Sequence, residues 1–74
     1  MSGKMTGLTN EPVSLICKID CTLWGYGSAL CLDKGHIIVA NIDCFENVVV
    51  EYGPFNIFEL PADNFSFEWF EVIE

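Results

Sequence analysis

Two β-branched runs lie close together in the middle of the chain, at residues 36–42 (His-Ile-Ile-Val-Ala-Asn-Ile) and 48–52 (Val-Val-Val-Glu-Tyr). Both are short for a helix, and the polar stretch 43–47 (Asp-Cys-Phe-Glu-Asn) divides them. β-Branched side chains crowd the turns of a helix but fit a pleated surface. The pair therefore predicts two antiparallel strands joined by a loop.

The flanking segments extend this reading. Over residues 13–21, Val13, Leu15, Cys17, Ile19 and Cys21 alternate with Ser14, Lys18 and Asp20, and only Ile16 breaks the pattern. That period of two is the signature of a half-buried strand. Over 22–32, extended backbone places Trp24, Tyr26, Ser28, Leu30 and Leu32 on one face and Gly25 and Gly27 on the other. Glycine inside a strand marks a bulge, a sharp bend or a close backbone approach, and small barrels close through such bends. A ligand groove floored by the two glycines beside Trp24 and Tyr26 is the functional alternative; ring-over-glycine packing is the commoner cause.

Asp33, Lys34 and Gly35 predict a hairpin turn, Gly53-Pro54 ends the second central strand, and 55–60 reads as another strand before a turn at 61–64. In the last segment, 65–74, Phe65, Phe67 and Trp69 alternate with Ser66 and Glu68, but the adjacent Trp69 and Phe70 break the phase. A bulge there turns Phe70 and Val72 inward. A helix beginning at Pro61 would instead bring Phe67 and Phe70 together.

The expected fold is all-β, a small half-open barrel of five or six antiparallel strands, SH3-like or OB-like. The alternative is an α+β fold with a C-terminal helix. Residues 1–11, rich in Gly, Ser, Thr and Asn, read as a flexible arm, and 12–74 as a single domain. A chain of 74 residues buries only about 60% of its unfolded surface, so its stability margin is thin. Ten aromatic residues argue against disorder and predict a core filled largely by rings.

The charge is one-sided. Residues 1–34 balance Lys4, Lys18 and Lys34 against Glu11, Asp20 and Asp33. Residues 35–74 hold no Lys or Arg and eight acids: Asp43, Glu46, Glu51, Glu59, Asp63, Glu68, Glu71 and Glu74. The net charge of −8 is thus carried entirely by the C-terminal half. Direct nucleic-acid binding, which needs cations against phosphates, is not expected, and neither is an anionic membrane surface. The N-terminal residues lack the apolar stretch of a signal peptide, and no run approaches the roughly 20 apolar residues that span a bilayer. A cytoplasmic protein is expected, in the host cytoplasm if the chain is viral.

Catalytic chemistry finds little support. The one histidine, His36, opens a strand, where an edge role is the ordinary one, although a Cys–His pair with Cys31 or Cys44 is compatible with the sequence. No phosphate loop or nucleophile elbow occurs, and no spacing selects an acid–base carboxylate pair. Cys17 and Cys21, read in one strand, would stand about 13 Å apart, too far for a disulfide and awkward for one metal. Free thiols are therefore expected, with no catalytic residues, metal or cofactor.

What remains is the acidic half. Its plain reading is a soluble surface that also protects strand edges. Its sharper reading is a rigid acidic face that docks on a basic surface of another protein, through Glu51, Glu59, Glu68, Glu71 and Glu74, with Trp69 and Phe70 as apolar anchors. Basic surfaces commonly hold DNA or RNA, so the expected function is a non-enzymatic nucleic-acid mimic that inhibits a nucleic-acid-binding protein. Phage-encoded anti-restriction and anti-CRISPR inhibitors are the class with these features, though no motif ties the chain to them. The alternative is a structural or adaptor β-module that recognises a peptide, or a second copy of itself, through Trp24 and Tyr26 or an edge strand.

Overall fold

The computed structural model describes residues 7–73. Seven strands run in chain order: β1 (Val13–Cys17), β2 (Cys21–Trp24), β3 (Ala29–Leu32), β4 (Ile37–Ile42), β5 (Asn47–Gly53), β6 (Asn56–Pro61) and β7 (Phe70–Val72). Five of them form one antiparallel sheet in the order β6-β5-β4-β1-β7, and β2 and β3 form a separate two-stranded hairpin. The all-β class and the central hairpin follow the sequence reading. No α-helix occurs among the described residues; two short 3-10 turns, Ala62–Asn64 and Phe67–Trp69, stand where the C-terminal helix was the alternative.

The sheet's inner face is the core. Leu15, Cys17, Ile38, Ala40, Val48, Val50, Leu60 and Phe70 are buried on it, and Leu23 and Leu32 of the hairpin are buried in the same cluster. Register explains the selection: Leu15 faces Ile38, Ala40 faces Val50, and Val48 faces Leu60 across the ladders. The expectation of a ring-filled core is corrected. Phe65 and Phe70 are the buried aromatics, stacked with centroids 5.2 Å apart, whereas Trp24, Tyr26, Phe45 and Phe55 are exposed. Matched aliphatic rows on facing strands fill the space between sheet and hairpin and leave little of it for rings.

Two strand boundaries also move. The first strand ends at Cys17, not Cys21. Its alternation continues into a turn that is held by Lys18 N–H donating to the Trp69 carbonyl (2.9 Å) and Lys34 N–H donating to Asp20 Oδ1 (2.7 Å). Cys17 and Cys21 are therefore not held apart in one extended strand; their thiols are hydrogen-bonded neighbours, and both are free. The stretch 22–32 is likewise two strands, closed by Gly25 N–H donating to the Ser28 carbonyl at 2.8 Å. Because the turn resets the alternation, Leu30 and Leu32 face the core side while Trp24 and Tyr26 remain outside.

Within the described part of the predicted arm, the Thr9 carbonyl accepts the Ile42 N–H at 2.8 Å, which ties the segment before β1 to the end of β4.

Candidate partner-binding face

The outer face of the five-stranded sheet is set by the same registers that build the core. In one row across the strands stand Ile57, Glu51, Val39 and Ser14; in the next toward β1 and β7 stand Ile37, Ile16 and Glu71. Glu59 faces Val49 on the far side of Glu51. Three of the predicted contact acids, Glu51, Glu59 and Glu71, thus share one face and are exposed, interleaved with aliphatic side chains. No Lys or Arg occurs within β1 or β4–β7. Lys18 and Lys34 lie in turns at the Ile16–Ile37 end, each turn also carrying an aspartate, Asp20 or Asp33.

The remaining predicted contacts separate. Glu68 is exposed, but on the 3-10 turn Phe67–Trp69, where its N–H donates to Ser66 Oγ at 3.3 Å. Trp69 is half-buried against the core. Phe70 is 3% exposed and stacked on Phe65, so its assignment as a surface anchor is corrected: pairing opposite Cys17 turns it onto the inner face. The phase change foreseen at Trp69 and Phe70 is real, made by a 3-10 turn instead of a bulge. Glu74 lies outside the described residues.

The upper end of the face is organised by Asp43. Its Oδ1 accepts the N–H groups of Phe45 and Asn47, both at 2.9 Å, which folds the β4–β5 loop around the carboxylate. These bonds, that of Asn47 first and then that of Phe45, hold the Asp43 carboxyl below its usual range. Asn47 in turn accepts the Tyr26 hydroxyl, and Asn64 Nδ2 donates to the Trp24 carbonyl at 2.6 Å, so the tip of the β2–β3 hairpin is fastened to the sheet. The predicted glycine-floored groove is closed at Gly25, where a Cβ would stand 2.6 Å from the Glu59 carbonyl oxygen and 2.7 Å from the Phe58 ring, while Gly27 has open space around it.

The features that would carry chemistry have structural surroundings. His36 Nε2 lies 3.1 Å from the Tyr52 carbonyl oxygen, joining the start of β4 to the end of β5. Burial, and after it the neighbouring Cys21, Asp20 and Asp33, pushes the Cys17 thiol up to about 11; burial also raises Cys21. Such thiols are poor nucleophiles at neutral pH. Among the described residues no group of three or more His, Cys, Asp and Glu side chains is placed to hold a metal ion. A shallow hollow of about 210 Å³ beside Phe45, Glu46 and Pro61 is smaller than the roughly 300–1,000 Å³ of small-molecule sites. Among the described residues no helix is long and apolar enough to cross a membrane.

Two exposed elements escaped the sequence reading. Ile37 and Ile57 face outward, hidden in sequence because β4 and β6 are apolar at inner and outer positions alike. Phe55, in the β5–β6 turn, is 99% exposed and adopts φ 64°, a left-handed conformation that bulky residues rarely take. A proline followed by phenylalanine, at a turn position where glycine is usual, was the available signal. Compared with known proteins, the chain matches no protein-family model, no curated protein and no solved structure.

Proposed function

We propose that this protein is a non-enzymatic inhibitor that lays the acidic outer face of its sheet on the basic surface of a nucleic-acid-binding protein. The observation that carries the reading is the placement of Glu51, Glu59 and Glu71 on one face of a continuous hydrogen-bonded sheet whose strands hold no cation. A sheet fixes its side chains at repeating spacings, so its carboxylates present a stiff pattern to a partner's Lys and Arg groups. Complementary fields then speed association and set orientation. Phage anti-defence inhibitors of the anti-CRISPR or anti-restriction type are the class proposed, acting in the host cytoplasm. In the same reading the architecture is a half-open barrel, SH3-like or OB-like. It is supported by the β2–β3 hairpin contributing to the core and meeting the β6 backbone at Gly25.

The test is competition. Candidate DNA- and RNA-binding complexes are loaded with labelled nucleic acid, and displacement by the protein is measured at low and moderate salt. Displacement that weakens with salt, and is lost in the triple variant Glu51→Lys/Glu59→Lys/Glu71→Lys, supports the reading. Unchanged occupancy, or indifference to the three reversals, rejects it.

One observation favours an adaptor module instead: Trp24 and Tyr26 are exposed at 63% and 62% at the hairpin tip. That reading requires Trp24→Ala to abolish binding while the charge reversals leave it intact.

A further inference from the structure

Phe55 combines two costs that folding alone does not explain. A phenylalanine that is 99% exposed contributes almost no burial, and φ 64° brings its Cβ against the following carbonyl. Glycine would take the same turn without that penalty. Backbone strain of this kind persists where the surrounding structure imposes it, and it concentrates at sites of contact. Here the surroundings do impose it. Pro54 fixes the preceding φ, and the register shift between Glu51 and Gly53 sets where the turn falls. Phe55 thereby stands in the turn at the end of the sheet where Ile57 and Ile37, 64% and 56% exposed, face outward. Glu51 stands across the ladder from Ile57, and Ile37 is followed in its row by Ile16 and Glu71.

We infer that Phe55, with Ile57 and Ile37, is the apolar anchor of the binding face, and that its occupant is a protein surface bearing an apolar cleft rimmed by Arg or Lys. The inference rests on the proposed function, since it names what the same face grips. Charge selects this occupant over a second copy of the chain. Two such faces brought together would oppose Glu51 and Glu71 to carboxylates, and the described cations, Lys18 and Lys34, stand in turns at the Ile16–Ile37 end whose Asp20 and Asp33 already balance them. An apolar cleft without a basic rim would leave those carboxylates desolvated and unpaired. Aromatic side chains seated in a partner's pocket commonly dominate binding, while surrounding charges steer.

The test uses two synthetic peptides of equal length and charge as probes, one alternating Arg with Leu and one alternating Arg with Ser, titrated into isotope-labelled full-length protein. The Arg–Leu peptide is expected to bind roughly tenfold tighter or more, with shifts centred on Phe55, Ile57 and Ile37. Phe55→Gly should erase that difference while leaving Arg–Ser binding unchanged. Its Tm should stay level or rise by up to about 4 °C, which separates loss of an anchor from loss of fold. Equal binding of the two peptides would overturn the anchor and leave the acidic-face reading standing; failure of both to bind would remove that reading as well. Shifts centred on Trp24 and Tyr26, or a dimer in sedimentation that Phe55→Gly abolishes, would overturn the inference in favour of the hairpin tip or a second copy.

Discussion

At the level of single residues, the molecule places left-handed backbone where glycine would be easier. Glu46, at φ 65°, is the counterpart of Phe55 at the other end of β5. Its loop is imposed by Asp43, whose carboxylate collects the Phe45 and Asn47 N–H groups while the Asp43 carbonyl accepts the Glu46 N–H at 3.1 Å. Glu46→Gly should therefore stabilise the fold by about 0.5–1 kcal/mol, the left-handed penalty less the entropy of a freer unfolded chain, and a thermal melt reads it directly. A lower Tm would mean that the Glu46 side chain holds the loop through a contact of its own. Cys17 gives a pH prediction of definite sign. Its thiol is raised from 9.0 to about 11, so the native state holds this proton more tightly than the unfolded chain does. The stabilisation is complete below about pH 9 and lost as pH rises toward about 11. Urea melts across that window should fall more steeply for the wild type than for Cys17→Ala. At neutral pH a thiol reagent should modify exposed Cys31 and Cys44 well before buried Cys17.

At the level of elements, the β2–β3 hairpin depends on one close approach. A methyl group at Gly25 meets a backbone carbonyl, which cannot turn aside as a side chain could, as well as the Phe58 ring. Gly25→Ala should cost about 1–3 kcal/mol, whereas Gly27→Ala, at φ 89° with open space around it, should cost only the backbone penalty of about 1 kcal/mol. Equal losses in denaturant midpoints would show that the hairpin is not seated on β6. This contact also marks the limit of what the chain discloses locally. β4 and β5 were legible because their β-branched runs and the Asp43 loop agree with each other. The acids of the outer face were legible as residues, since Glu51, Glu59 and Glu71 stand out from apolar neighbours. Their sharing of a face was not, because it depends on the ladders that put β5 between β4 and β6 and set β7 beside β1. The 22–32 stretch misled because its four-residue turn sets Trp24 opposite Ala29, so even-numbered residues face outward in β2 and inward in β3 although they alternate without a break in the sequence. Phe70 misled for a tertiary reason: only its pairing opposite Cys17 decides which way it points.

At the level of the whole molecule, the distribution of charge matters more than the total. The domain measures 33 × 29 × 21 Å, while charges in about 0.1 M salt are screened within roughly 10 Å. A docking partner therefore senses the face before it and not the net −8. On the sheet's outer face that field comes from Glu51, Glu59 and Glu71; the described lysines stand in turns whose aspartates balance them. Approach and grip should consequently separate in kinetics. With the Arg–Leu peptide as probe, raising salt from about 50 to about 200 mM should slow association of the wild type several-fold, because steering is lost, and change dissociation less. Glu51→Lys/Glu71→Lys should slow association already at low salt and flatten its salt dependence. Phe55→Gly should leave association nearly unchanged and speed dissociation, because an anchor acts after encounter. Stopped-flow measurement of the three proteins distinguishes these effects. If salt left association untouched while Phe55→Gly still speeded dissociation, the face would be an apolar docking site whose carboxylates serve solubility, and its partner would need no basic rim.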